Sequence, residues 1–222
     1  MNNPQQHLSA LRDIRSMMEK SSRFVSLSGW SGVAAGICAL LGAYLSHGYV
    51  YGYKNLFIHE MSASRYDSGI SLLEVLMNTW LFWIAAGTFA AAFISSFIFT
   101  FIKSKKDGTP LWGKMTKRLL INFSIPLFAG GLFIYKLLHF GTFGLVAPGC
   151  LLFYGLALLN ASKYTLAEIK YLGYGQLVLG VINLGFEGAG LYFWALGFGV
   201  LHIIYGIVMW YKYERDVKNS EA

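Results

Sequence analysis

Residues 24–46, FVSLSGWSGVAAGICALLGAYLS, form a predominantly apolar run of 23 residues that contains no charge. At 1.5 Å per residue a helix of this length reaches roughly 34 Å, enough to cross a hydrocarbon core about 30 Å thick. Its small residues recur at steps of three and four: Ser28, Gly32, Gly36, Ala39 and Ala43. Such a stripe lets a neighbouring helix approach backbone to backbone. The spacing predicts a transmembrane helix around which the other helices pack.

The rest of the chain follows the same pattern. Its 222 residues are 55% hydrophobic and only 13% charged, about half the charge of an ordinary soluble domain, so they are short of the polar surface that water requires. The apolar residues come in long runs, not in the alternating segments of about ten residues that a transmembrane β-barrel needs. The class is an all-α membrane protein, expected as a compact bundle of six transmembrane helices. The net charge of +7 does not point to nucleic acid, because the basic residues fall in the loops between apolar runs. Cys38 and Cys150 each lie inside an apolar run, without the paired spacing of a disulfide framework or zinc site. No small-x-small cleavage site follows the first run before His47, so the run is expected to stay in the chain.

Residues 1–23 read as a cytoplasmic arm. Leu8, Leu11, Ile14 and Met18 recur at helical spacing with charges between them, which predicts a short amphipathic helix suited to the membrane surface, the bundle or a protein partner. A single transmembrane domain then occupies residues 24–212, with spans at about 24–46, 72–102, 119–139, 142–160, 171–186 and 191–211. A short charged tail, residues 213–222, ends the chain. The first loop, from His47 to Ile70, is rich in aromatics fitted to the headgroup level. Thr109-Pro110 has the form of a helix N-cap followed by proline. Pro126 lies inside the third span, where it removes a backbone donor and crowds the carbonyl of Asn122, so a kink is expected. Pro148 and several glycines mark the fourth span. Leu152-Phe153-Tyr154-Gly155 resembles Ile203-Ile204-Tyr205-Gly206, which allows two related hairpins, spans 3–4 and 5–6.

Six spans put both termini on one side, and the basic residues choose it. Fifteen lie on the side of the termini: Arg12, Arg15, Lys20 and Arg23 in the arm; Lys103, Lys105, Lys106, Lys114, Lys117 and Arg118 in the second loop; Lys163 and Lys170; and Lys212, Arg215 and Lys218. Only Lys54, Arg65 and Lys136 lie on the other. Positive charge is retained inside, so both termini are expected in the cytoplasm of a bacterium's inner membrane. The six basic residues of the second loop are also placed to contact anionic lipid headgroups.

Polar side chains at membrane depth cost about 2.5–3.5 kcal/mol each and need a reason. Glu74 and Asn78 fall one turn apart at the outer end of span 2, Lys136 and His139 at the outer end of span 3, and Asn183 and Glu187 at the outer end of span 5. Were these faces to converge, Lys136 would pair with a glutamate and the group would bind a polar ligand from outside. Interfacial charges that snorkel to water explain the same residues. His202 is the one titratable side chain deep in a span: a proton relay, a ligand, or a ring that hydrogen-bonds a tyrosine or carbonyl nearby. Gly29-Trp30-Ser31-Gly32 fits the GxSG pattern of rhomboid intramembrane proteases, which also carry a late histidine. Here the serine is on the first span, and the family's tryptophan-arginine pair is missing. His59-Glu60 is a lone pair in the outer loop. No catalytic residue, cofactor or metal is expected.

The block Met18-Glu19-Lys20-Ser21-Ser22-Arg23-Phe24, running into Leu27-Ser28-Gly29 and Gly32-Val33-Ala34-Ala35-Gly36, resembles a family of small six-helix bacterial inner-membrane proteins without established activity. The resemblance implies the same architecture and no catalytic or binding residues. It also implies a link to a winged-helix regulator, which favours sensing or regulation. The expected function is thus a non-enzymatic sensing, binding or regulatory bundle. The alternative is a small transporter or channel using kinked spans 3 and 4 and the glycine-rich spans 5 and 6.

Overall fold

The computed structural model describes residues 27–52, 77–108, 111–186 and 188–215. Within them the chain is helical without a β-strand: α1 (Gly29–Gly52), α2 (Trp80–Lys106), α3 (Lys114–His139), α4 (Val146–Ala161, led in by a 3-10 turn at Phe143–Leu145), α5 (Ile169–Asn183) and α6 (Gly190–Tyr213). Five of these, all but α5, are long and apolar enough to cross a membrane. The arm at 1–23, the Thr109-Pro110 cap, most of the first loop, and residues 216–222 lie outside the described residues, as do Glu74 and Glu187.

Several boundaries differ from the sequence reading, each for a local reason. The first helix continues past Ser46 to Gly52, because His47 Nε2 lies 3.0 Å from the Tyr192 hydroxyl and Tyr51 donates to the Gly188 carbonyl at 2.9 Å. Contact with the start of α6 thus holds the extra turns. α2 begins at Trp80 and not near residue 72: Thr79 is extended, and the Trp83 indole N–H takes the Met77 carbonyl at 2.7 Å, ahead of the helix. Asn78 therefore stands in a turn before α2. At the other end α2 runs on to Lys106, with three lysines in its last turn complementing the helix dipole. α3 starts at Lys114 behind an extended Gly113. Pro148 falls in the first turn of α4, where a missing N–H has no intrahelical partner to lose, so it starts that helix and does not kink it.

The small-residue stripe of α1 is buried as its spacing predicts, Ala39 to 4% and Ala43 to 7% exposure. It meets α6 along a seam of glycines. A Cβ added at Gly206 would lie 2.5 Å from the Gly29 carbonyl oxygen and 2.6 Å from the Val33 nitrogen; one at Gly36 would lie 2.6 Å from the Gly199 carbonyl oxygen. Only glycine permits backbones that close. α1 is not the hub of all the helices, however. It packs on α2 and α6, while Tyr44 and Leu45 on its other face are exposed. A second centre forms on α4, which packs on α3 and α5 and fully buries Leu151 and Pro148. Among the described residues α6 alone has substantial interfaces both with α1 and with the α4–α5 pair. It joins the halves.

Pro126 shows how one sequence irregularity is absorbed. Proline leaves the Asn122 carbonyl without its helical donor, and the Asn160 side-chain amide of α4 donates to that oxygen at 2.8 Å. The Asn122 side chain in turn donates to the Arg118 carbonyl at 2.8 Å.

Candidate functional site

α6 changes its winding in mid-course. Gly190–Trp194 is α-helical, Ala195–Leu201 is π-helical, and His202–Tyr213 is α-helical again. Wide turns of this kind inside a helix recur at functional positions. Gly197, with no side chain of its own, presents its carbonyl to two neighbours. Gln176 Nε2 of α5 donates to it at 2.7 Å, and His202 Nδ1 at 3.0 Å. Because a carbonyl only accepts, Nδ1 carries the ring proton of His202 and Nε2 is the acceptor. The Tyr154 hydroxyl of α4 donates to Nε2 at 2.8 Å. Three helices are thereby tied at one level: α4 through Tyr154, α5 through Gln176 and α6 through His202. Phe198 stacks over the imidazole, with ring centroids 6.0 Å apart. Gln176 is fully buried, and its Oε1 has no hydrogen-bond partner.

One end of α6 is fastened separately. Glu214 Oε1 accepts the Gly29 backbone N–H at 2.7 Å, so a carboxylate at the end of α6 caps α1. Lys103 of α2 donates to the same oxygen at 3.2 Å and to the Leu27 carbonyl at 3.0 Å. With side-chain exposures of 13% and 18%, Lys103 and Glu214 form a largely sheltered pair. Lys103 is thus engaged within the fold, whereas Lys105, Lys106, Lys114, Lys117 and Arg118 are exposed. On the same face, Glu168 Oε1 accepts from Lys212 and from the Tyr213 hydroxyl, the latter at 2.9 Å. Burial works to raise the Glu168 carboxyl. Hydrogen bonds from Lys212, its own backbone and Tyr213, with the Lys212 charge, outweigh it and hold the group below the usual carboxylate range.

The residues singled out from sequence divide unequally. His202 is 7% exposed and engaged at both ring nitrogens, one with a tyrosine and one with a carbonyl, which is the plain hydrogen-bonding reading. Asn183 is 3% exposed on the same buried face of α5 as Gln176, with its Nδ2 unpartnered. Lys136 and His139 are exposed at the end of α3, and Asn78 is exposed in its turn. α2, α3 and α5 share no substantial interface with one another among the described residues, since α2 packs on α1 and both α3 and α5 pack on α4. Glu74 and Glu187, the two carboxylates of the expected outer cluster, lie outside the described residues, and so does the His59-Glu60 pair. The GxSG serine and His202 are each bonded elsewhere: Ser31 Oγ donates to the Ser28 carbonyl at 2.6 Å, and both His202 nitrogens are engaged. Gln176 was not singled out by sequence, and Tyr154 only as part of the short repeat. The available signal was Gln176 itself, an amide inside an apolar run, followed seven residues later by Asn183 on the same helical face.

No protein-family model, no curated protein and no solved structure matches this chain.

Proposed function

We propose that the chain is a six-span protein of a bacterial inner membrane, with both termini in the cytoplasm, and that it works as a non-enzymatic sensing or regulatory bundle. The topology rests on the asymmetry of its basic residues. α5 supplies the sixth crossing in this reading: its 15 residues rise about 22 Å, and the turns at its ends complete the span.

A single observation supports the regulatory reading. α6 is gripped at its π-helical centre by Gln176 and Tyr154, and at its end it caps α1 through Glu214. α1 follows directly on the cytoplasmic arm. A ligand or membrane state that alters the central grip therefore has a mechanical path to the arm, which is the surface offered to a protein partner. The outer polar residues Asn78, Lys136, His139 and Asn183, with Glu74 and Glu187, are the proposed ligand contacts. The basic side chains left exposed beside α2 and α3 are the proposed contacts for anionic lipid.

The test places a spin label at Arg15→Cys in a Cys38→Ser, Cys150→Ala background reconstituted in liposomes. Gln176→Leu and Glu214→Gln are each expected to change the label's mobility. Identical spectra in all three proteins would overturn the coupling. Solute flux through the same liposomes would favour the transporter alternative.

A further inference from the structure

Three buried polar atoms have no protein partner along a narrow strip of the bundle: Glu168 Oε2, the Tyr205 hydroxyl and Gln176 Oε1. Such atoms rarely go unsatisfied, and water is the partner small enough to reach them between close-packed helices. They are not scattered. His202, Tyr205 and Tyr213 fall on one face of α6, three and eight residues apart in turn. Tyr205 and Tyr154 both pack against the apolar cluster of Leu158, Ile169 and Leu172, which walls the strip. From Tyr213 to His202 the strip rises about 16 Å along α6. At its deep end Tyr154 is already bonded to His202 Nε2, and at its shallow end Glu168 is already bonded to Tyr213.

We infer that this strip is a water-relayed proton route joining the Glu168 carboxylate, at one face of the bundle, to the His202 imidazole at its centre. The transfer balances, with the Tyr154–His202 hydrogen bond as its last link and water as the earlier ones. Glu168 takes a proton from solvent and passes it through water to the Tyr205 oxygen, which releases its own proton inward through water to Tyr154. Tyr154 gives its hydroxyl proton to His202 Nε2 and accepts the incoming one in its place. The product is an imidazolium whose Nδ1–H still donates to the Gly197 carbonyl and whose Nε2–H now donates back to Tyr154. The other elements against His202 contribute no competing charge: α1 presents Gly32 to its backbone, and α5 presents the neutral Gln176. Lys212 and Glu168 are the charged pair at the entrance, with Tyr213 beside them. The relay gives the chain a buried centre whose ring proton exchanges with solvent at one face of the bundle. It stands independently of the regulatory reading, since a transporter would use the same route.

The experiment follows solvent deuterium exchange at the His202 ring N–H in full-length protein in liposomes, by NMR with ring-labelled histidine. Five histidines are present, and the signal absent from His202→Phe assigns the ring. Tyr205→Phe removes one unpartnered hydroxyl and is expected to slow exchange about tenfold, the scale of one lost hydrogen bond. Glu168→Gln is expected to slow it as well, while Tyr174→Phe, at an exposed site on α5, leaves it unchanged. Wild-type exchange rates in both Tyr205→Phe and Glu168→Gln would overturn the route. So would a wild-type ring N–H as protected as the deepest helical amides.

Discussion

Replacing Gly206 by alanine tests the glycine seam between α1 and α6, and its effect can be worked from the geometry. The new Cβ would stand 2.5 Å from the Gly29 carbonyl oxygen and 2.6 Å from the Val33 nitrogen, where ordinary contact begins at 3.4 Å. Both obstacles are backbone, so no rotamer change relieves them, and the helices must part by roughly 0.9 Å. Overpacking of this kind costs about 1–3 kcal/mol. A gap of 0.5–1 Å opened along the rest of the seam also forfeits about a quarter to a half of each dispersion contact there. Against this, alanine in a helix regains about 0.5–1 kcal/mol of backbone entropy. The balance is a net loss of about 2 kcal/mol. Gly131→Ala is the control: it lies in α3 with nothing within 4 Å of its would-be Cβ, so it keeps the entropy gain without the clash. Reversible unfolding in bicelles measures both. If Gly206→Ala proves as stable as Gly131→Ala, the α1–α6 contact is not made as described.

Asn160→Leu leaves the Asn122 carbonyl without a donor and is expected to cost about 0.6–1.7 kcal/mol, the range for hydrogen bonds between membrane helices. In a Pro126→Ala background the helix supplies that donor itself, so a double-mutant cycle should find Asn160→Leu nearly silent; additive losses would refute the link. The Glu168 carboxyl is held below its ordinary value, so its stabilisation is complete above the unfolded pKa of roughly 4.3 and is lost as pH falls through the lower folded value. The stability gap between wild type and Glu168→Gln should therefore close on acidification below about pH 4, as unfolding at several pH values would show. For topology, single cysteines at Lys106 and Lys163 should react with an impermeant maleimide only after the inner face is opened, and one at Gly141 before it.

Much of the fold is legible in the chain because membrane helices announce themselves by length, and the stripe on α1 by its three- and four-residue spacing. Pro126 even names the carbonyl that needs help, Asn122. What the sequence withholds is who provides it. Asn160 is 38 residues away, and the Glu214 cap on Gly29 joins residues 185 apart; neither pairing leaves a local mark. The π-helical turn is hidden for another reason. Ala195-Leu196-Gly197-Phe198-Gly199-Val200-Leu201 has no proline or charge to punctuate it, and its winding is settled by tertiary partners. His202 was conspicuous as a lone polar ring in an apolar run, whereas Lys136 of α3 and Asn183 of α5 stand on helices that each pack on α4 and share no substantial interface among the described residues.

The seam between α1 and α6 also has a consequence for biosynthesis. The ribosome delivers Gly29 well before Gly206, at about 5–20 residues per second, so roughly 10–40 seconds separate the two. Through that interval α1 waits in the bilayer with its glycine face unmatched, and α5 holds the Gln176 amide without the Gly197 carbonyl. Chains that stop short of α6 should be poor at folding and ready substrates for membrane quality control.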